Sequence, residues 1–193
     1  RLLGAAWGVH VENLGELAFL ILAEESDFVG SDTDLQKEQE KFDAWQTANP
    51  DVPATSFNQV RPENGGPDTR IHWYPRRFGE EIGTPVPVLV PRSEEQAFRG
   101  EDLARVFPTT GNLQYPAVGF EMRADRVGDF ADYTGEYVKR RMAILLNDEI
   151  RSAPTLNSKL VGSAIIEGKF KDEEVKNLVT VGDAVTFIVN AQG

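Results

Sequence analysis

Along residues 115–170 the apolar positions change period repeatedly, and each change marks a boundary between elements. Val118, Phe120 and Met122 alternate with Gly119 and Glu121, the period-two pattern of a strand with one buried face. Val127, Phe130, Ala131, Thr134, Tyr137 and Val138 then share one helical face, with Asp125, Arg126, Asp129, Asp132 and Glu136 turned outward. MAILL, residues 142–146, is a continuous apolar run and predicts a central strand. Asn147-Asp148 predicts a turn into a returning strand, EIRSAP, that Pro154 ends. SAIIEG predicts another strand at 162–167, and Asp172, Glu173 and Glu174 open a second helix at the positive end of its dipole. In DAVTFIVNAQG, Val185, Phe187 and Val189 alternate with Thr186 and Ile188, which predicts a final strand over 184–190.

Upstream the rhythm is less regular. Residues 1–14 lack clean periodicity, and Gly4 and Gly8 weaken any helix there. ELAFLILAEE carries consecutive large apolar positions between Gly15 and an acidic run, and predicts a buried strand over 16–24. SDTDLQKEQEKFDAWQTA predicts an amphipathic helix with Ser31 or Asp32 as N-cap and an apolar stripe at Leu35, Phe42 and Trp45. Residues 49–69, rich in Pro, Asn, Gly and Asp, predict a long loop. RIHWYPRRF sets Ile71, Trp73, Tyr74 and Phe78 among three arginines, which fits either a peptide- or nucleic-acid-binding surface or a small second core. TPVPVLVP follows, with prolines at 85, 87 and 91 that confine any strand to a sheet edge. GEDLARVF, residues 100–107, predicts a short helix, and PTTGN a turn.

Charge narrows the chemistry. The 193 residues carry 31 acidic and 20 basic side chains, a net charge of −11 that repels phosphate backbones and makes nucleic acid an unexpected partner. Residues 24–51 hold nine of the acids against Lys37 and Lys41. Asp32 and Asp34 sit in that run, but without the central Gly and twelfth-position Glu of a calcium loop they read as a solvated helix N-terminus. There is no cysteine, hence no disulfide or thiol chemistry. His10 and His72 stand far apart without metal-ligand spacing, and Thr109 and Thr110 lack the Gly-Lys-Ser/Thr of a phosphate loop. No nucleophile stands at recognisable spacing from a base, so neither an enzyme nor a cofactor is expected. The longest apolar run, 17–23, is too short to span a bilayer. A chain opening on Arg1, with no basic segment before an apolar one, reads as part of something longer.

Collected in order, the elements predict an α+β fold: a ferredoxin-like β-α-β-β-α-β base over 1–25 and 113–193, interrupted by an inserted second lobe, or head, over 26–112. The two crossings of the chain place hinge candidates at Glu24, Glu25 and Gly100.

The blocks PAVGFEM, FADYT, MAILLND, EIRSAPTL, GSAIIEGKF and EEVKNL, in that order, resemble the first large extracytoplasmic domain of the SecD family, the auxiliary subunit of the bacterial protein translocase. The family's motifs there take the forms "AVxFxL", "FxxxT", "LAIVLDGxVxSAPxI", "GGSAxIxGxF" and "EEAxxLA", and LGELAFLIL is similar to its "IGxTAxLEFRLV" strand. Two departures stand out. Asn147-Asp148-Glu149 replaces the family's "DG" turn, and VTVGDAVTFIVNAQG replaces its "LRSGALP", standing for either a divergent end or a rearranged order of blocks. The resemblance implies a non-enzymatic domain on the periplasmic face of the bacterial inner membrane, part of a protein-export membrane protein. Its implied partners are unfolded preprotein, the translocase channel and a SecF-type subunit, and its implied role is to grasp and release emerging chain while the membrane part couples proton flow. Binding an unfolded client calls for exposed apolar patches, for which Trp73, Tyr74 and Phe78 are the preprotein-contact candidates. The alternative is a ferredoxin-like sensor module that binds a small molecule or a partner without touching clients.

Overall fold

The computed structural model describes residues 17–78, 81–111 and 114–167, together with Asp172, Val175, Lys176 and Val179. Its strands form two sheets, one of six in the order β3 (Glu81–Leu89), β2 (Ile71–Phe78), β8 (Glu149–Ser152), β7 (Met142–Leu146), β1 (Leu17–Ile21) and β4 (Phe98–Arg99), and one of three in the order β5 (Leu103–Thr110), β6 (Pro116–Met122) and β9 (Ser163–Ile166).

The two continuous apolar runs lie at the heart of the larger sheet. β1 (Leu17–Ile21) and β7 (Met142–Leu146) pair antiparallel over five residues, from Leu17 opposite Leu146 to Ile21 opposite Met142. Every residue of β7 is buried, as expected of a strand covered on both faces. Asn147 and Asp148, at φ of 54° and 58°, make the tight reversal into β8 (Glu149–Ser152), since Asn and Asp tolerate the left-handed region that such a turn requires. β2 (Ile71–Phe78) joins β8 in parallel through Arg76 and Ile150, a short contact reinforced by the fork of Arg77 on Glu149 at 2.5 and 2.7 Å. β3 (Glu81–Leu89) closes that side with Pro85 and Pro87 on the sheet edge, as their missing N–H groups demand. The two-residue β4 (Phe98–Arg99) closes the other.

In the smaller sheet β6 (Pro116–Met122) lies between β5 (Leu103–Thr110) and β9 (Ser163–Ile166). β5 corrects the expected helix and turn over 100–111: only Gly100–Asp102 form a 3-10 turn, and the chain then runs extended. Leu103 and Val106 bury against the sandwich while Arg105 faces solvent and pairs with Glu121 on β6. Gly119 leaves room for the Phe107 ring opposite it, because a Cβ there would stand 2.3 Å from that ring.

The core fills the space between the sheets. Phe19, Ile21, Met142 and Ile144 meet Val118, Phe120, Met122 and Ile166 there, and the helix α2 (Val127–Glu136) adds Phe130 and Tyr133. The Phe19, Phe98 and Phe120 rings all lie within about 6 Å of Phe130. A second cluster lies on β2, where helix α1 (Leu35–Ala48) and the 3-10 turn Ala54–Gln59 pack Phe42 and Phe57 against Ile71 and Trp73. α1 starts one turn later than expected: Asp34, not Ser31 or Asp32, is the N-cap, its side chain accepting the Lys37 N–H at 2.8 Å.

The architecture is α+β, but the single sheet of a ferredoxin-like unit does not form among the described residues. The strands on either side of α2, β6 and β7, belong to different sheets, because β6 is claimed by β5 and β9 while β7 is claimed by β1 and β8. Nor do residues 26–112 stand apart from the larger sheet: β2 and β3 extend it next to β8. Asp172, Val175, Lys176 and Val179 are helical, with Val175 buried in the sandwich core. The expected strand over 184–190 and the segment 1–14 lie outside the described residues.

Candidate functional site

The three aromatic candidates do not form one surface. Trp73 is fully buried and stacks on Phe42 at 4.4 Å between centroids, 12° from parallel, so it is a core residue and cannot contact a client in this fold. Its strand is held by Asn58, whose side chain accepts from the Trp73 N–H at 2.7 Å and donates to the Trp73 carbonyl at 3.0 Å. Tyr74 points to the opposite face of β2, half-buried beside Leu20 and Val88. Phe78 ends β2, opposite Glu81. Of the neighbouring arginines, Arg77 pairs with Glu149 and Arg70 with Asp68, and Arg76 donates to the Thr84 carbonyl.

The hinge candidates lie beside two arginine hubs that the sequence reading missed. Arg140 gathers the turn after β1, donating to Asp27 at 2.7 and 3.1 Å and to the Leu22 carbonyl at 2.8 Å, with Glu24 at 2.9 Å. Glu25 is exposed and accepts from the Leu35 N–H. Gly100 is buried at the start of its 3-10 turn. There Arg126 donates to Asp102 at 2.8 Å and to the carbonyls of Glu94 and Ala97, and lies over the Phe98 ring. An arginine gives no periodic signal, and although Asp129 lies only three residues from Arg126, the partners that join distant segments lie 24–118 residues away and are revealed only by the fold.

His72 borders a cavity of ≈ 620 Å³ with Tyr74, Arg92, Glu94, Arg99 and Asp148, over an apolar floor of Ala18, Leu20 and Leu145. Burial pushes its imidazole below the ordinary value. His10 lies outside the described residues. Among those residues no group of three His, Asp or Glu is placed to hold a metal ion, and no helix is long and apolar enough to cross a membrane.

A second cavity, ≈ 550 Å³, opens between the two sheets. Its floor is Phe120, Met142, Ile144 and Ile166, and its rim carries Thr155, Asn157, Ser158 and Glu167. One wall, residues 154–156, is zipped to the chain before β7: Lys139 N–H donates to the Leu156 carbonyl, Leu156 N–H to that of Arg140, and Met142 N–H to that of Pro154. The buried Thr134 hydroxyl accepts from the Leu160 N–H at 3.0 Å and donates to the Phe130 carbonyl at 2.8 Å, which fixes the rest of the wall to α2. The SAP block is thus the side of a cleft. Ile165 in the cleft lining is 53% exposed, and Val161, next in sequence to the lining residue Leu160, is 68% exposed, so both apolar positions face water. Their signal was present in the sequence, since SAII is more apolar than a one-faced strand needs.

A family model described as SecDF, P1 head subdomain, matches residues 75–184, a span that takes in β3, α2 and the cleft. The chain is 31% identical to the protein translocase subunit SecD of Rhodobacter capsulatus over 68% of its own length and 21% of that protein's. With SecD of Leptotrichia buccalis it shares 40% identity over 54% of its length and 24% of the relative's. It therefore spans under a quarter of these relatives. A solved structure of SecDF, a membrane component that enhances protein export, aligns with 94% of this chain and 69% of its own at 20% identity and a TM-score of 0.47.

Proposed function

The chain belongs to the SecDF P1 head subdomain family, and from that premise we propose that it is an extracytoplasmic, non-enzymatic domain of a protein-export membrane protein that binds and releases emerging polypeptide. The observation that carries this reading is the cleft between the sheets: open at one side, apolar at its floor, polar but weakly charged at its rim, and continued by the exposed Val161 and Ile165. An unfolded client offers apolar side chains at irregular intervals and no fixed shape. A shallow apolar opening with adaptable hydroxyl and amide groups suits that client better than converging charged groups would. Coupling to proton flow, to a translocase channel and to a SecF-type subunit belongs to the membrane part of the whole protein, within this same proposal. Movement of the domain about Glu24, Glu25 and Gly100 would carry bound chain away from the membrane.

The test is photo-crosslinking within the full-length membrane protein. A photoreactive residue replacing Thr155 or Ile165 is expected to capture a stalled preprotein, and one replacing the exposed Asp132 is not. Equal yields at all three positions would overturn the cleft as the client site. The same probe at Tyr74 and Phe78 tests whether the aromatic strand offers a second contact.

A further inference from the structure

We infer that the client is held as an added β-strand along the outer edge of β9, with alternate side chains lowered into the cleft. The inference rests on the polypeptide-binding reading above and specifies its geometry.

Among the described residues the two sheets have four outer strands, and three of them are protected against a further strand. β3 carries Pro85 and Pro87, which cannot donate, and its C-terminal part is already bridged by the chain after β1, Val88 opposite Leu22 and the Pro87 carbonyl accepting the Ala23 N–H at 3.0 Å. β4 is two residues long. β5 has an irregular register between Leu103 and Arg105 and holds Pro108 near its middle. β9 has no such device: SAII contains no proline and no charge, and its ladder with β6 is regular from Ser163 opposite Glu121 to Ile166 opposite Val118.

The ladder fixes which backbone groups face outward. Gly162 accepts the Met122 N–H at 2.7 Å, so the two-residue alternation of an antiparallel pair turns Ala164 and Ile166 toward β6. Ser163 and Ile165 then point their N–H and C=O groups away from the sheet. Both residues are exposed. The next outward carbonyl, that of Glu167, accepts from the Ser152 hydroxyl at 3.3 Å, which ends the open stretch. Four backbone groups in regular extended geometry therefore lie next to the cleft, whose far wall is formed by residues 154–158. A strand laid there would direct alternate side chains inward with Ala164 and Ile166 and the others outward beside Ile165.

Charge favours this occupant over a second copy of the chain. Two copies, each with a net charge of −11, repel, whereas an apolar or basic extended segment does not. Backbone hydrogen bonds also demand no particular side chain, which fits a site that must accept many client sequences.

Two synthetic peptides of alternating Val and Thr with terminal Lys residues, one unmodified and one N-methylated at every second residue, test the geometry on the whole chain. N-methylation on the bonding face removes donors and blocks the edge without changing the side chains. It is expected to weaken binding roughly tenfold or more. The unmodified peptide is expected to slow amide exchange at Ser163 and Ile165, and Ser163→Pro, which removes one outward donor from the edge, to weaken it as well. Equal binding of both peptides, with no change in exchange at those amides, would overturn strand addition while leaving polypeptide binding intact. No binding of either peptide would count against the functional reading itself. Slow exchange of both amides in the peptide-free protein would also overturn the proposal, because the edge would already be taken by this chain or by a second copy.

Discussion

Stacking of Trp73 on Phe42 joins β2 to α1 and concentrates that contact in two side chains. Trp73→Ala removes a fully buried indole and leaves a void that Phe42 and Phe57 cannot fill, at a cost of about 3–5 kcal/mol. Trp73→Phe behaves differently. The indole Nε1 is buried without a hydrogen-bond partner, so Phe loses some packing but also removes an unsatisfied donor. Its expected cost is about 1 kcal/mol. Urea unfolding of the two variants at constant m-value reads the difference, and equal losses would show that the indole nitrogen carries no penalty. The same burial explains why an aromatic residue among arginines is ambiguous in sequence: exposure is decided by α1, which arrives on β2 from about 30 residues upstream.

At the scale of elements, the parts readable from the sequence were those whose pattern has a single solution. LAFLI and MAILL are too apolar for any place but the centre of a sheet, the 127–138 stripe fits only a helix, and the prolines of β3 admit only an edge. β5 was not readable, because Leu103, Val106 and Phe107 satisfy helical spacing, while the register shift between Leu103 and Arg105 breaks the alternation that would mark a strand. Its partner β6 decides between them, and Gly119 is shaped to receive the Phe107 ring. The division of strands between two sheets was hidden for the same reason, since local pattern does not say which strand a neighbour will claim. The cleft is not legible in the sequence, because its walls are blocks whose pattern is that of scaffold strands and turns. Arg140 and Arg126 bear on the hinge proposal in the same way. Motion about Glu24 and Gly100 must open Arg140 from Asp27 or Arg126 from Asp102. Arg140→Gln is therefore expected to broaden the distance distribution between spin labels at the exposed Asp51 and Asp132 and to speed amide exchange over residues 24–28. A single unchanged distance in the parent and the variant would remove the hinge.

For the molecule as a whole, stability is expected to fall on acidification, and the sign follows from groups whose values lie below their ordinary ones. Glu149 is held down chiefly by Arg77, Asp68 by Arg70, and Asp34 by the Lys37 N–H at the start of α1. A carboxylate lowered on folding binds its proton more readily in the unfolded chain. Its contribution is thus complete above the ordinary carboxylate value, about 4, and is lost as pH falls through the lower folded value. His72 has the same sign at a higher pH, because burial disfavours its imidazolium in the folded protein. Its contribution begins to fade near the ordinary imidazole value of about 6.5. Arg92 and Arg99, which border the same cavity, oppose protonation there, while Glu94 and Asp148 favour it. Relief of the net charge of −11 works the other way, since protonating surface acids lowers self-repulsion. Stability against urea should therefore decline in two stages on acidification, a shallow one beginning near pH 6.5 and a steep one below about pH 4.5. His72→Gln should remove the first stage alone, and Glu149→Gln should flatten the second. A curve for the His72 variant parallel to that of the parent between pH 7 and pH 5 would show that desolvation of this imidazole does not govern the upper stage.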